Sequence, residues 1–436
     1  MQKISVKNAM AVGLGAIIGA GIFVLSGTAV ALAGPYSLVA FLLVGVVALI
    51  LAMIMSELSS IMPRTKGASY SYAYNAFGSE IGFITGIALF ASFATAIAAI
   101  ALGFGSYLAS MLGLGQSFEI PFSIALILAL TLVNLFGISK AAKTDAVLVA
   151  IKLSILVLFG VFAIFVAMKA GAAATLSNFS AKGYGPVSIF AASVAIFFAY
   201  SGFQTIATFA SRISGGSTGV KKAIIGSVAI SLLVYVLIDL ALLMLAPASS
   251  YKIVADPLAF ALKRAKAPEA LSLVVDIGAL IATTSATLAM ILSSGRIAYQ
   301  ISADRLLPKI FRSYNKKTDV PTNSILVSAG IGIATLFAGN IYVIAAISNF
   351  GLLLSYLITC LVQIHYRRQK GMQAEIRMPM YPYLTVLAII MLLAFLLGMP
   401  RESLIIGNLL VLSLLIIYYF LRELKEKKPV KIKLFN

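Results

Sequence analysis

Residues 13–23, GLGAIIGAGIF, sit inside an apolar run that extends from Asn8 to Ala33. The run is long enough to cross a bilayer, for which about 20 residues suffice. Yet it carries Gly13, Gly15, Gly19 and Gly21 within eleven positions. Each glycine costs roughly 0.5–1 kcal/mol of helix stability relative to alanine. One account of that cost is close packing, because small residues let neighbouring backbones approach. The other is a break near Ile18–Ile22, with backbone N–H and C=O groups left unpaired. At membrane depth such groups are tolerated only inside protein or beside a cavity. A half-helix N-terminus placed there offers positive partial charge to an anion. The spacing favours the break.

The chain around this stretch is 61% hydrophobic and 11% charged, with a mean hydropathy of +1.05. Soluble domains carry about 25% charged residues, so an all-α polytopic membrane protein is expected. Twelve apolar stretches fall near 8–33, 36–62, 81–112, 121–138, 142–168, 185–211, 220–246, 269–303, 321–338, 341–367, 379–398 and 402–422. The first, preceded by Lys3 and Lys7, has a signal-peptide outline but is too long and too glycine-rich for one. It is read as a mature helix. A single cysteine, Cys360, rules out an intrachain disulfide. With no tryptophan, interfacial anchoring falls to tyrosine and phenylalanine.

The formal charge of +19 invites a nucleic-acid reading, and its distribution removes it. Twenty-five of the 33 lysines and arginines lie in the N-terminus, the loops after even-numbered stretches and the tail. Seven lie on the opposite side. That bias places both termini in the cytoplasm, for which the plasma membrane is the expected site. The one basic residue left over, Lys152, sits within the fifth stretch, about seven residues or roughly 10 Å beyond Asp145.

Stretches 1–5 (residues 1–168) and 6–10 (185–368) invite comparison as repeats. An odd-numbered repeat must enter its second copy from the other side, giving a five-plus-five inverted architecture. The second copy then interrupts its own first helix, at FFAYSGFQT, residues 197–205, where Gly202 follows Ser201. Residues 379–422 add two peripheral helices, and 423–436 a basic tail.

Several segments together resemble the amino acid–polyamine–organocation superfamily of transporters, and the amino acid permeases within it. They are GAIIGAGIF; SELSSIMPRTKGASYSYAYNAFG at 56–78; FFAYSGFQTIATFA; SSGRIAYQISADRLLPKIF at 293–311; and NFGLLLSYLITCLVQIHYRR at 349–368. The resemblance covers nearly the whole chain. It implies alternating access, with the substrate carboxylate on the N–H groups of Gly19, Ala20 and Gly21. It implies the substrate amine on carbonyls of Ile17, Phe198 and Ser201, and Phe198 as an aromatic cap. Opposed half-helix ends bind a zwitterion with no charged side chain. Two departures stand out. Gln204 replaces an acid that often follows the second break, which weakens a cationic substrate. Residues 210–224 lack the family's acidic-then-proline pattern, which puts that loop's gating contacts in question.

An isolated lysine at mid-helix costs about 2.5–3.5 kcal/mol on insertion scales, so Lys152 needs an account. Snorkelling to the interface and a static ammonium bridging helices 1 and 8 are two. The third draws on the resemblance, since some relatives carry a lysine where sodium-coupled cousins hold a cation. Lys152, facing the backbone around Gly15–Ile18 and the hydroxyls of Thr284 and Ser285, would then load a proton. Thr283 and Thr287 extend that polar cluster. Asp239 is a possible second ionisable site or a structural acid. Glu57 is expected to pair with Arg64 or Lys66, Asp276 to face water, and His365 to be interfacial.

No HExxH, GxSxG, Walker or metal-spaced Cys/His pattern occurs, so no enzyme, cofactor or metal is expected. The expectation is a secondary amino acid transporter, a proton-coupled symporter of neutral amino acids. An exchanger is the nearest alternative, and a non-translocating sensor or a channel the more distant ones. Which amino acid, what stoichiometry and what oligomeric state are not written in the sequence.

Overall fold

The computed structural model describes residues 4–62, 69–137, 142–208, 210–369 and 374–423. The glycine-rich run folds as two helices, α1 (Val6–Ile17) and α2 (Ala20–Ala33). Ser5 opens α1, its hydroxyl accepting from the backbone N–H of Asn8. A 3-10 turn at Gly34–Tyr36 separates α2 from α3 (Ser37–Ile61). Without a turn, the 41 apolar residues from Gly21 to Ile61 would form about 60 Å of helix, twice a bilayer core. The chain continues through α4 (Ser69–Phe77), α5 (Ser79–Met111), α6 (Glu119–Leu135), α7 (Ala142–Ala170) and α8 (Ala172–Ser177). The second interrupted pair is α9 (Ser188–Ala199) and α10 (Gln204–Thr208). Then come α11 (Gly216–Leu245), α12 (Pro257–Arg264), α13 (Glu269–Ala303), α14 (Thr322–Thr335), α15 (Ile341–Arg368), α16 (Tyr383–Leu397) and α17 (Arg401–Glu423).

Among the described residues, seven helical segments are long and apolar enough to cross a membrane, or eight if the bent α16–α17 pair is one span. The sequence offers twelve stretches because several are built from pieces. α1, α9 and α14 are only 12, 12 and 14 residues long, and α2 with α3 passes as one segment. The axes of α16 and α17 meet at 108°.

α5 lies at the centre, with 94% of its apolar window buried, whereas α6 and α7 are 33% buried and face outward. α5 packs on α13, α15 and α6, while α11 packs on α3 and α1, and α9 on α2 and α3. α16 is not loose at the edge. Its buried positions Thr385, Ala388, Leu392 and Phe395 line one face, and Phe395 meets Phe197 of α9 at 5.9 Å between ring centroids.

Glu57 has a partner that sequence proximity does not reveal. Its carboxylate is fully buried and pairs with Arg367 of α15, a residue 310 positions away. Its Oε2 also accepts from Gln363 Nε2 (2.8 Å) and the backbone N–H of Met378 (3.0 Å). Arg367 in turn lies over the Tyr381 ring at 4.8 Å, and Gln363 Oε1 accepts from Thr385 (2.7 Å). The joint therefore fastens α3, α15 and the lead-in to α16. Arg64 and Lys66, the expected partners, lie outside the described residues. Asp276 also departs from expectation, being 7% exposed rather than facing water. His365 sits against the Phe77 ring at 5.1 Å, near the end of α15.

Candidate functional site at the paired helix breaks

The helix of the glycine-rich stretch stops at Ile18 and restarts at Ala20. The Ile18 N–H still donates to Leu14 O (2.7 Å), and the Gly19 N–H turns back to Ile17 O (2.7 Å). The second interruption spans Tyr200–Phe203. The Tyr200 and Ser201 N–H groups close back onto Phe197 O and Phe198 O, and the Ser201 hydroxyl donates to Phe198 O at 2.8 Å. Gly202 takes φ +117, a conformation that L side chains rarely adopt.

The two breaks touch through backbone. A Cβ on Gly202 would lie 2.7 Å from Ala16 O, and one on Gly21 would lie 2.3 Å from Ala199 Cα. Glycine is needed at both because another helix's main chain occupies the space. The C-terminal ends of α1 and α9 consequently converge, each carrying about half a negative charge. Tyr235 of α11 joins them. The single proton of its hydroxyl lies between Ile17 O (2.6 Å) and Ala199 O (2.8 Å). The N-terminus of α2, at Gly19–Gly21, begins within the same junction.

Gln204 is oriented by its surroundings. Its Oε1 accepts from the Gly202 N–H (3.0 Å) and from Tyr356 OH of α15 (2.8 Å). A flipped amide would set its NH2 against the Gly202 N–H, which can only donate, so the backbone fixes the orientation. Its Nε2 is buried and has no hydrogen-bond partner among the described residues. Tyr356 stacks on Phe203 at 5.6 Å, and Asn349, two turns earlier on α15, donates to Val194 O of α9. α15 thus holds α9 and α10 on both sides of the interruption.

Lys152 lies on the other flank, 2% exposed, its Nζ donating to Ser285 Oγ at 2.8 Å. The next residue, Ala286, packs on the break at Gly19, and Val149 packs on Gly15. Lys152 therefore ties α7 to α13 beside α1. Thr284 and Ser285 are half-buried, Thr283 donates to Ala279 O (2.7 Å), and the Thr287 hydroxyl has no hydrogen-bond partner among the described residues. Asp239 stands apart, one turn along α11 from Tyr235. Gly15, Ala16, Ser201 and Thr205 are half-buried, whereas Ile22, Phe23 and Phe198 are closed off.

The arrangement can hold a zwitterion: ammonium at the paired C-terminal ends, carboxylate at the α2 N-terminus. Ile17, Gly19, Gly21, Phe198, Ser201 and Gln204 come together there, with the backbone of Ala20. Tyr235, Tyr356 and Asn349 are additions that no local pattern picks out. The hint for Tyr235 is a hydroxyl in VYVLIDL, one turn from Asp239. Tyr235→Phe should lower the uptake rate by up to about tenfold, as the two carbonyls lose their one shared donor, a hydrogen bond worth about 0.5–1.5 kcal/mol. Initial-rate uptake in proteoliposomes, beside an unchanged gel-filtration profile, checks this.

Two interrupted helices meeting inside a nearly all-helical membrane protein define a transporter fold. The same fold is found in a mutant form of the Eremococcus coleocola manganese transporter, with a TM-score of 0.62, 13% identity, and coverage of 95% of this chain and 94% of that one. The sequence model of the amino acid permease family matches residues 4–421, and the chain belongs to that family. It is 28% identical to the branched-chain amino acid permease BcaP of Lactococcus lactis, over 98% of this chain and 96% of that protein. It is 26% identical to the methylthioribose transporter of Bacillus subtilis, over 92% and 88% of the two chains. It is 27% identical to the vacuolar cationic amino acid transporter 4 of Arabidopsis thaliana, over 84% of this chain and 63% of that one. The protein is a multi-pass membrane transporter of amino acids.

Proposed function

We propose that the chain is a proton-coupled symporter of neutral amino acids, branched-chain ones foremost, working by alternating access. It would sit in the plasma membrane with both termini cytoplasmic. The observation that carries this reading is the junction of opposed half-helix ends. It has poles for a carboxylate and an ammonium, and Gln204 rather than an acid beside it. Among the described residues no acid at the break would then neutralise a cationic side chain. The likeness to BcaP, whose name specifies branched-chain substrates, points the same way. Residues 1–168 and 185–368 serve as the inverted repeats, each opening on an interrupted helix. The half-buried residues on the α1 and α10 side of the junction, with closed residues beyond, fit a pathway leading to the cytoplasm.

Lys152 is the proton-coupling group in this reading. Its ammonium holds α7 to Ser285 beside the Gly19 break. Lys152→Ala should abolish accumulation of radiolabelled leucine driven by an inside-alkaline gradient in proteoliposomes. Accumulation that persisted in the variant would remove the coupling role. An exchanger is the second reading, favoured by the same Lys152–Ser285 bond if it is static. It would require internal amino acid for uptake and ignore the gradient.

A further inference from the structure

On the proton-coupled reading above, we propose that Asp239 is a second proton carrier of the transport cycle, seated as a neutral carboxylic acid between α11 and the start of α3. Its side chain is fully buried. Ser37, the first residue of α3, donates to Oδ2 at 2.7 Å, and Oδ1 has no hydrogen-bond partner among the described residues. The titratable groups facing it are the phenols of Tyr200, at the end of α9, and Tyr251, beyond α11. Among the described residues no basic side chain acts on it. Both phenols already donate elsewhere, Tyr200 to Phe41 O (3.3 Å) and Tyr251 to Leu242 O (2.6 Å). One hydroxyl does not compensate a carboxylate removed from water, and taking up a proton is the remaining way to offset that charge.

The location suits exchange rather than permanent storage. In one direction, Ser37 adjoins the turn at Gly34–Tyr36, where Pro35 and Tyr36 are part-exposed. In the other, the Tyr200 ring meets Tyr235 edge-on at 5.0 Å, and the Tyr235 hydroxyl rests on the carbonyls of both breaks. Asp239 shares α11 with Tyr235, so a rearrangement of the breaks that moves α11 moves the acid relative to Ser37. A purely structural role would be met equally by asparagine, which matches the neutral acid in shape.

Asp239→Asn separates the two roles. The variant mimics the proton-loaded carrier. In proteoliposomes it should therefore retain leucine counterflow within about twofold of wild type. Under an inside-alkaline gradient, its accumulation ratio should fall severalfold below wild type, the remaining drive coming through Lys152. Accumulation equal to wild type would overturn the proposal and leave Asp239 a structural acid. If the asparagine variant lost counterflow as well, Asp239→Glu decides. Recovery of gradient-driven accumulation by glutamate supports the proton site, and failure of both variants overturns it. Absence of gradient-driven accumulation in the wild-type protein would be a different result, against the coupled reading itself.

Discussion

Gly21→Ala is expected to lower amino acid uptake by one to two orders of magnitude. The added methyl would lie 2.3 Å from Ala199 Cα and 2.6 Å from its Cβ, so no flexible side chain can give way. The halves α2 and α9 must separate, and overpacking of this kind costs about 1–3 kcal/mol. That cost falls on the junction where both partial charges of the site are set. A matched control is available in Gly160→Ala on α7, where the new methyl meets nothing within 4 Å. The control should leave uptake unchanged and add slight helix stability, since alanine is the better helix former. Initial uptake rates of the two variants, normalised to reconstituted protein, give the comparison. Equal rates would mean that the close approach of α2 and α9 is not needed for transport.

Arg367→Met should produce the largest loss of stability. It strands the Glu57 carboxylate, which is fully buried, with Gln363 and the Met378 N–H as its remaining partners among the described residues. Removing one partner of a buried pair costs about 3–5 kcal/mol. A thermal midpoint several degrees lower in detergent is the expected reading. Replacing both charges, in Glu57→Gln with Arg367→Met, should recover much of that loss, because no uncompensated charge remains. A double variant no more stable than Arg367→Met would show that cation–π and packing contacts of Arg367, over Tyr381, dominate instead.

The principal features of the site were legible in the sequence because they are local. Four glycines in one apolar run announce a break, and the structure puts it at Ile18–Gly19. Gly202 announces the other, and its φ of +117 explains why glycine stands there. What was not legible depends on distance along the chain. Tyr235 reaches Ile17 across 218 residues, and Tyr356 reaches Gln204 across 152. Neither hydroxyl breaks the apolar periodicity of its helix. Glu57 shows the same limit. The nearest cations in sequence are Arg64 and Lys66, but a helix carries the carboxylate into the protein, and the cation that meets it belongs to α15. Hydropathy marks twelve stretches where only seven or eight described helices are singly long enough to cross a membrane, in part because an interrupted helix has the hydropathy of one span and the geometry of two.

The most direct test of a substrate site at the paired breaks is protection of a single reporter cysteine. Ser201→Cys, in a chain whose one native cysteine, the buried Cys360, is replaced by alanine, puts a half-buried thiol at the second break. With the substrate bound between the half-helix ends, saturating L-leucine should slow alkylation of that thiol severalfold. D-leucine and arginine should not. Unchanged alkylation in a variant that still transports leucine would place the substrate elsewhere and contradict the account.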